Sequence, residues 1–534
     1  MTRATPQQQA RKWWKQRVDA HQYVVPAAAL PSAPILRLLR DERLVLDVAN
    51  GRAAIVTEPT RANDRAVVLA NYWSIVALVL GGYAPAVITG VDAVRVHLGD
   101  WSIPITLFAI QAANRSNYTL PLYADLAVRL KPAPLTAEAI AWLTGPGDNR
   151  VPALAPADLL LELDLTELQA GLEPVSAWLR HLVLPTPDLY RAVDRTPRTH
   201  VIERLAGLAH QLGNTSLAVQ LEAALRRIST RRRGPSTTGI GTVFVAPPIL
   251  AGTRPTGEPA WVDEQRLRLA RQGDEVASIV APGLGALSRM PLQRLLAHAR
   301  RVKAYDAYHN TTMEGYRISR EVAEAIVNGE PMPNGPQSLE QLQAIMAVQG
   351  YTRAFDTVLK LGRTSEPVTV ALLLDLYEDL FRPSVDAGLV APGELRAFRT
   401  GGVGLNGWRH IPPNAKKLRD LLRGFEQFTG DTTVDPVTRA IVAHLEFVTI
   451  HPFVDGNGRL GRLLFNLQLL RTGLPWVTVR NDEKMPFFQA IEAAQVDSHT
   501  EQYARFMWHA IAEAHRDLLA AAQRARRGAR NVSR

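Results

Sequence analysis

No charged side chain occurs in the 26 residues from Ala66 to Val91, a run long enough to cross a lipid bilayer. A chain with such a run either inserts it in a membrane or buries it in a core. Asn71, Ser74, the Gly81-Gly82 pair and Pro85 interrupt it, and Gly-Gly-Tyr-Ala-Pro is turn chemistry. The run therefore reads as a buried helix near Ala66 to Leu80 and a strand near Ala86 to Val91, away from lipid. A chain of 534 residues needs several cores, about three at roughly 150 residues each. With 46% hydrophobic and 21% charged residues, it has the mixture of packed domains rather than of disorder or a fibrous repeat. It has no cysteine, which excludes disulfides, thiolate metal sites and cysteine nucleophiles and fits a reducing compartment. The opening MTRATPQQQARKWW lacks the apolar run of a signal peptide. The expected location is cytoplasmic, with no membrane partner.

The net charge is +10, and only eight of the 61 basic side chains are Lys. Arg is the better fork for phosphate and carboxylate, so the bias favours a phosphate-bearing ligand or nucleic acid, although base composition alone would produce it. Residues 1–58 read as a basic helix (Gln7 to Asp19), a second helix near Pro34 to Arg40, and a hairpin. Leu44, Leu46 and Val48 alternate up to Asn50-Gly51, and Ala53 and Ile55 follow. A type I′ turn requires positive φ at both central residues, which Asn-Gly supplies. Helix plus hairpin outlines a winged helix. Two readings stay open: DNA binding with Arg37, Arg40 and Arg43 near the backbone, or a small structural domain whose arginines face water.

Residues 59–228 read as a mixed α/β domain ending in helices over Val201 to Leu212 and Leu217 to Ile228, with His97 as a packed or half-exposed side chain. The segments YAPAVITGVDAVRVHLGD and LAGLAHQLGNTSLAVQLEAALRR resemble the body of AbiEi-type antitoxins, which also carry an N-terminal winged helix and act as transcriptional regulators. Residues 229–260 have linker composition. Arg226, Arg227, Arg231, Arg232 and Arg233 lead into it, either as a solvated boundary or as a patch for phosphate. From Trp261 onward the periodicity is helical.

The stretch His451-Pro-Phe-Val-Asp-Gly-Asn-Gly-Arg-Leu-Gly-Arg462 carries the chemistry. Asp435 as N-cap and Pro436 at the first position announce a helix before it, with Ile441, Leu445 and Val448 on one face. Pro452 stops that helix. A second helix follows from about Arg459 to Leu470, ended by Thr472-Gly473. Gly456 and Gly458 let backbone approach a ligand, and the free N–H groups opening the second helix favour an anion. Arg459 and Arg462, three apart, can grip different phosphates. Asp455 suits a hard cation such as Mg²⁺, and His451 can take a proton near neutral pH. Read singly, each of these residues fits a plain Asn-Gly turn between two helices, with His451 packed and the arginines solvated.

Together they fill the nine specified positions of HPFx[DE]GNGRxxR, the signature of the Fic family, which residues 261–534 resemble. The resemblance implies a mainly α Fic fold with a β-hairpin flap, preceded here by a winged helix and a mixed α/β domain. It implies transfer of AMP from ATP, with Mg²⁺, to a Ser, Thr or Tyr hydroxyl of a protein. By that similarity His451 is the general base, Asp455 the metal carboxylate and Phe453 a core anchor. Gly456, Asn457 and Gly458 form the anion hole, and Arg459 and Arg462 hold the outer phosphates. Gly402, Val403, Gly404 and Leu405, within a segment near 400–409, occupy the place of the family's target-docking flap, where a target pairs as an added strand. The neighbouring His410 reads as structural. His309-Asn-Thr-Thr-Met-Glu-Gly-Tyr316 resembles the inhibitory helix [ST]xxxE[GN], near 305–316, whose Glu314 would pair with Arg462; Asn310 stands where the pattern has Ser or Thr. The expected function is an autoinhibited protein adenylyltransferase. The alternatives are removal of AMP from a modified protein, a DNA-binding regulator using the Fic half as nucleotide sensor, or a fused toxin and antitoxin.

Overall fold

The computed structural model describes residues 4–58, 63–82, 85–112, 116–232, 245–250, 257–330 and 335–532. It divides into two compact units, one of Met1–Leu267 with Gly404–Ile411, the other of Arg268–Val403 with Pro412–Arg534. The first unit opens on the helix Pro6–Asp19, started by a reciprocal Thr5 and Gln8 capping box. The strands β1 (Val24–Pro26), β2 (Val45–Val48) and β3 (Ala53–Val56) pair antiparallel in the order β1-β3-β2, with the helix Ala33–Asp41 between the first two. Asn50 and Gly51 take the expected positive φ, but Ala49 does too. The register closes at Val48 and Ala53, so the connection has four residues rather than the two of a type I′ turn. Arg37, Arg40 and Arg43 are exposed, and two are already matched: Arg40 with Asp47 and Arg43 with Asp64, each at 2.8 Å.

The uncharged run folds as two helices, Asp64–Ala70 and Tyr72–Gly82, bent by 65° at the break. Asn71 caps the first and turns its side-chain amide back to the Val67 carbonyl at 2.9 Å. Val68, Ile75 and Val76 are fully buried. Among the described residues no single helix is long and apolar enough to cross a membrane. The strand after it, β4 (Ala86–Ile88), is shorter than expected, because the helix Gly90–Leu98 begins within the range assigned to strand. A mixed sheet forms from β4, β5 (Thr106–Gln111), β6 (Tyr118–Tyr123), β7 (Leu126–Pro132), β8 (Ile140–Thr144) and β9 (Arg150–Leu154) in the order β6-β7-β5-β4-β9-β8. Its β4/β9 and β5/β7 pairs are parallel. Helices from Pro156 to Arg232 complete the core. His97 packs there with its Nε2 at 2.8 Å from the Leu154 carbonyl. Of the arginine cluster, Arg227 pairs with Asp194 at 2.8 Å and Arg226 lies 4.0 Å from Glu222. Arg233, the side chains of Arg231 and Arg232, and most of the expected 229–260 linker lie outside the described residues.

The segment Gly404–Ile411 is held within this first unit. The Ile103 N–H donates to the Arg409 carbonyl at 2.8 Å, and His410, buried, has its Nδ1 at 3.2 Å from Ser102 Oγ. The flap expected as a β-hairpin over 400–409 forms no strand; its backbone is bends and turns. Gly401, Gly402, Gly404 and Gly407 give a strand no side chains to pack, and Pro412-Pro413 removes two ladder donors.

Among the described residues of the second unit, every regular element is a helix. Its frame is the helices Leu292–Met313, Leu339–Leu361, Val370–Asp386, Pro436–Ile450 and Asn457–Arg471. Pro436–Ile450 and Asn457–Arg471 are buried nearly all round. A loop between two such helices has little freedom to move, and that rigidity is what a precise site requires.

Candidate active site

Asp435 starts the helix before the loop by accepting from the N–H groups of Val437 and Thr438 at 2.9 and 3.0 Å. The helix ends at His451, which adopts the left-handed conformation at φ 50°, ψ 60°. That conformation is unfavourable for a residue with a Cβ, so surrounding contacts must hold it. Its Nδ1 lies 3.4 Å from the Val448 carbonyl. A carbonyl only accepts, so a bond there puts the proton on Nδ1 and leaves Nε2 as the basic nitrogen.

Inside the loop, Phe453 is fully buried and stacks on Tyr377 at 3.8 Å with the rings 6° apart. The Asn457 amide staples the turn: its Oδ1 accepts from the Phe453 N–H at 3.0 Å and its Nδ2 donates to the Phe453 carbonyl at 2.9 Å. Both ends of that side chain are therefore spent on loop shape. Gly456, at φ 77°, is the N-cap of the next helix. A Cβ there would meet Phe381 at 2.7 Å, so only glycine fits. Arg459, 1% exposed, donates to Asp455 Oδ2 at 3.0 Å, and its guanidinium lies 5.2 Å from the rings of both Tyr316 and Phe381.

Glu314 reaches this cradle from the end of the helix Leu292–Met313. Arg462, 3% exposed, donates through Nη2 to Glu314 Oε1 at 2.6 Å and through Nε to Asn310 Oδ1. Asn310, in the place of the expected Ser or Thr, also donates to the Asp306 carbonyl at 2.9 Å. It thus joins the helix backbone to the arginine. The carboxylate lies so close to the loop that a Cβ on Gly458 would fall 2.3 Å from Glu314 Oε1. A carboxylate at a helix C-terminus is disfavoured by the helix dipole, and Arg462 offsets that cost.

Of the expected residues, the structure brings His451, Asp455, Gly456, Asn457, Gly458, Arg459, Arg462 and Glu314 into one site. Gly404 and Leu405 belong to the first unit, while Gly402 and Val403 belong to the second. Two residues that the motif does not mark also take part. Tyr316 donates its hydroxyl to Asp455 Oδ2 at 3.2 Å. Arg399 donates to the carbonyl of His451 itself, at 2.7 Å. Tyr316 stands two residues from Glu314 and could have been suspected; nothing in the local sequence around Arg399 signals its contact across 52 residues. Asp306, fully buried, accepts from the hydroxyls of Tyr351 and Thr478, each at 2.6 Å, and burial pushes its carboxyl up to about 6. His444, close by in sequence, is a core residue whose burial lowers its pKa to about 3.

Residues 367–469 match the model of the Fic/DOC family. The proteins called protein adenylyltransferase Fic from Drosophila sechellia and Drosophila melanogaster are each 27% identical to this chain over 249 residues, covering 46% of it and 46% of the relative. The chain therefore spans about half the length of these curated relatives. Among solved structures, Fic-1 from C. elegans aligns at 17% identity and a TM-score of 0.38, over 68% of this chain and 94% of that one. A Fic-domain signalling protein from Bacteroides thetaiotaomicron aligns at 14% identity and a TM-score of 0.37, over 48% and 98%. The residues that match the Fic/DOC family model, 367–469, contain the whole of the loop signature from His451 to Arg462.

Proposed function

We propose that this chain is a protein adenylyltransferase that moves AMP from ATP to a Ser, Thr or Tyr hydroxyl of a target protein and is restrained by Glu314. One observation carries the reading: the loop cradle already holds an anion, the Glu314 carboxylate, on Arg462 and against Gly458. A place that draws a carboxylate to a helix N-terminus and a buried guanidinium is built for negative charge. The similarity to relatives named protein adenylyltransferase supports the choice of reaction.

In this mechanism the N–H groups opening the helix Asn457–Arg471 receive phosphate oxygens, and Arg459 and Arg462 bind the outer phosphates. His451 Nε2 takes the proton of the target hydroxyl. The hydroxyl oxygen bonds to the α-phosphorus, the bond from that phosphorus to the bridging oxygen breaks, and pyrophosphate leaves. Positioning and charge stabilisation supply most of the acceleration in such transfers. Asp455 fits as one carboxylate ligand for Mg²⁺, with half of its side chain exposed. Among the described residues no group of three or more His, Asp or Glu could hold a metal alone, so phosphate and water would complete the shell, as is usual for Mg²⁺. Bound there, Mg²⁺ would neutralise phosphate charge.

Glu314 opposes this arrangement by occupying Arg462. Incubating the full chain with α-labelled ATP, Mg²⁺ and cell lysate tests the reading. Label should enter protein, more so with Glu314→Gly and not at all with His451→Ala. No incorporation by the folded Glu314→Gly chain would end it.

A further inference from the structure

Arg399 is 4% exposed, yet the partners of its side chain are backbone carbonyls rather than a carboxylate. Nε donates to His451 at 2.7 Å, Nη1 to Gly401 at 2.9 Å, and Nη2 to Ile450 at 3.3 Å and to Pro413. Its own N–H donates to the Pro452 carbonyl at 3.0 Å. One residue therefore holds three consecutive carbonyls, those of Ile450, His451 and Pro452. Those of Ile450 and His451 are orphan acceptors at the end of a helix, where the dipole favours a cation. The held carbonyl of His451 belongs to the residue in the left-handed conformation, so the contact helps fix the peptide that aims the imidazole.

The same guanidinium grips the Gly401 and Pro413 carbonyls, closing the segment between them at its neck. A planar fork with five donors can serve four acceptors in this way, whereas a lysine ammonium has three donors at a single point. Burial lowers the Arg399 pKa to about 10, which still leaves it a cation at neutral pH.

We propose that Arg399 is the positioning residue of this site, setting the catalytic His451 and the neck of the target-docking segment in one register. This rests on the reading of His451 as general base. Arg399 touches no reacting atom, and its action runs through the backbone of His451 and the two ends of the segment. Nucleotide binding uses the loop N–H groups and the two motif arginines, so it should be spared.

The experiment uses the full chain in the Glu314→Gly background, with label transfer from α-labelled ATP to protein in lysate as one readout and ATP affinity by calorimetry as the other. Arg399→Ala should lower kcat by about 100-fold, the scale of a misplaced catalytic group, with ATP affinity within about twofold of the parent. Millimolar guanidinium, far below denaturing concentration, should restore part of the rate to Arg399→Ala and leave the parent unchanged. Methylammonium, which lacks the planar fork, should not. Should Arg399→Ala fail to fold, Arg399→Lys decides: it keeps a cation and one donor point, and should transfer about tenfold more slowly with ATP affinity retained. Parental transfer by the folded variant overturns the proposal, as does a loss of ATP affinity matching the loss of transfer. His451→Ala is assayed alongside. Transfer persisting there counts against the base assignment itself, while silence there with full activity in Arg399→Ala counts against Arg399 alone.

Discussion

His451 ends its helix at φ 50°, with its Nδ1 3.4 Å from the Val448 carbonyl, and in the proposed mechanism it accepts the proton through Nε2. We expect His451→Ala to bind ATP like the parent and to lose transfer by roughly 10²- to 10⁴-fold, the usual worth of a positioned base. Paired calorimetry and label transfer check this, and a variant transferring at the parental rate would remove His451 from the chemistry. Asp306 gives a second expectation at this scale. Burial holds its carboxyl up at about 6, against about 3.9 in an unfolded chain. Between those values the folded protein keeps a proton that the unfolded chain has released. The stabilisation is therefore complete below about pH 4 and is lost as pH rises to about 6. Asp306→Asn lacks that titration, so wild type should lose melting temperature relative to the variant across this window. Parallel curves from pH 4 to 7 would contradict it.

At the scale of elements, the loop is a rigid turn between two buried helices, and the helix Leu292–Met313 delivers Glu314 into it. Charge-assisted bonds of this kind are worth about 1.5–3 kcal/mol. Releasing Arg462 by Glu314→Gly should raise transfer roughly 10- to 100-fold. Adding Arg462→Ala should cancel the gain, because the freed guanidinium is what the nucleotide would use. Melting temperatures must be compared in parallel, and a folded Glu314→Gly chain with unchanged transfer would refute the restraint. Asp455 accepts from Gly456, Arg459 and Tyr316 at once. Asp455→Ala should therefore raise the Mg²⁺ concentration needed for half-maximal transfer, while circular dichroism stays native, since the side chain is half exposed. Identical Mg²⁺ activation curves would reassign the metal carboxylate.

At the scale of the whole chain, net charge and local pairing point in different directions. A charge of +10 draws any polyanion, yet Arg40 and Arg43 beside the three-stranded sheet are matched by Asp47 and Asp64. We expect weak, non-specific binding to random duplex DNA, with a shallow salt dependence. Each phosphate neutralised contributes about −0.9 to the slope of log affinity against log salt. A gel-shift series with a slope steeper than about −3 would favour a DNA-binding role for this chain.

The sequence by itself determined what local chemistry can specify. Asp435-Pro436 sets a helix start, Asn71 breaks the uncharged run, Asn50-Gly51 takes positive φ, and the spacing from His451 to Arg462 builds an anion cradle. Each of these depends on residues within a turn or two of one another. Glu314 with its helix and Asn310 were legible through resemblance. Their pairing with Arg462 needed the fold, since 148 residues separate Glu314 from its partner. Only tertiary structure decided the rest. The register of the Val48–Ala53 connection follows from strand pairing. The role of Arg399 is of the same kind. Its acceptors are main-chain carbonyls that look alike in any sequence, and they converge on one guanidinium only because the helix end, the loop and the segment neck are folded around it.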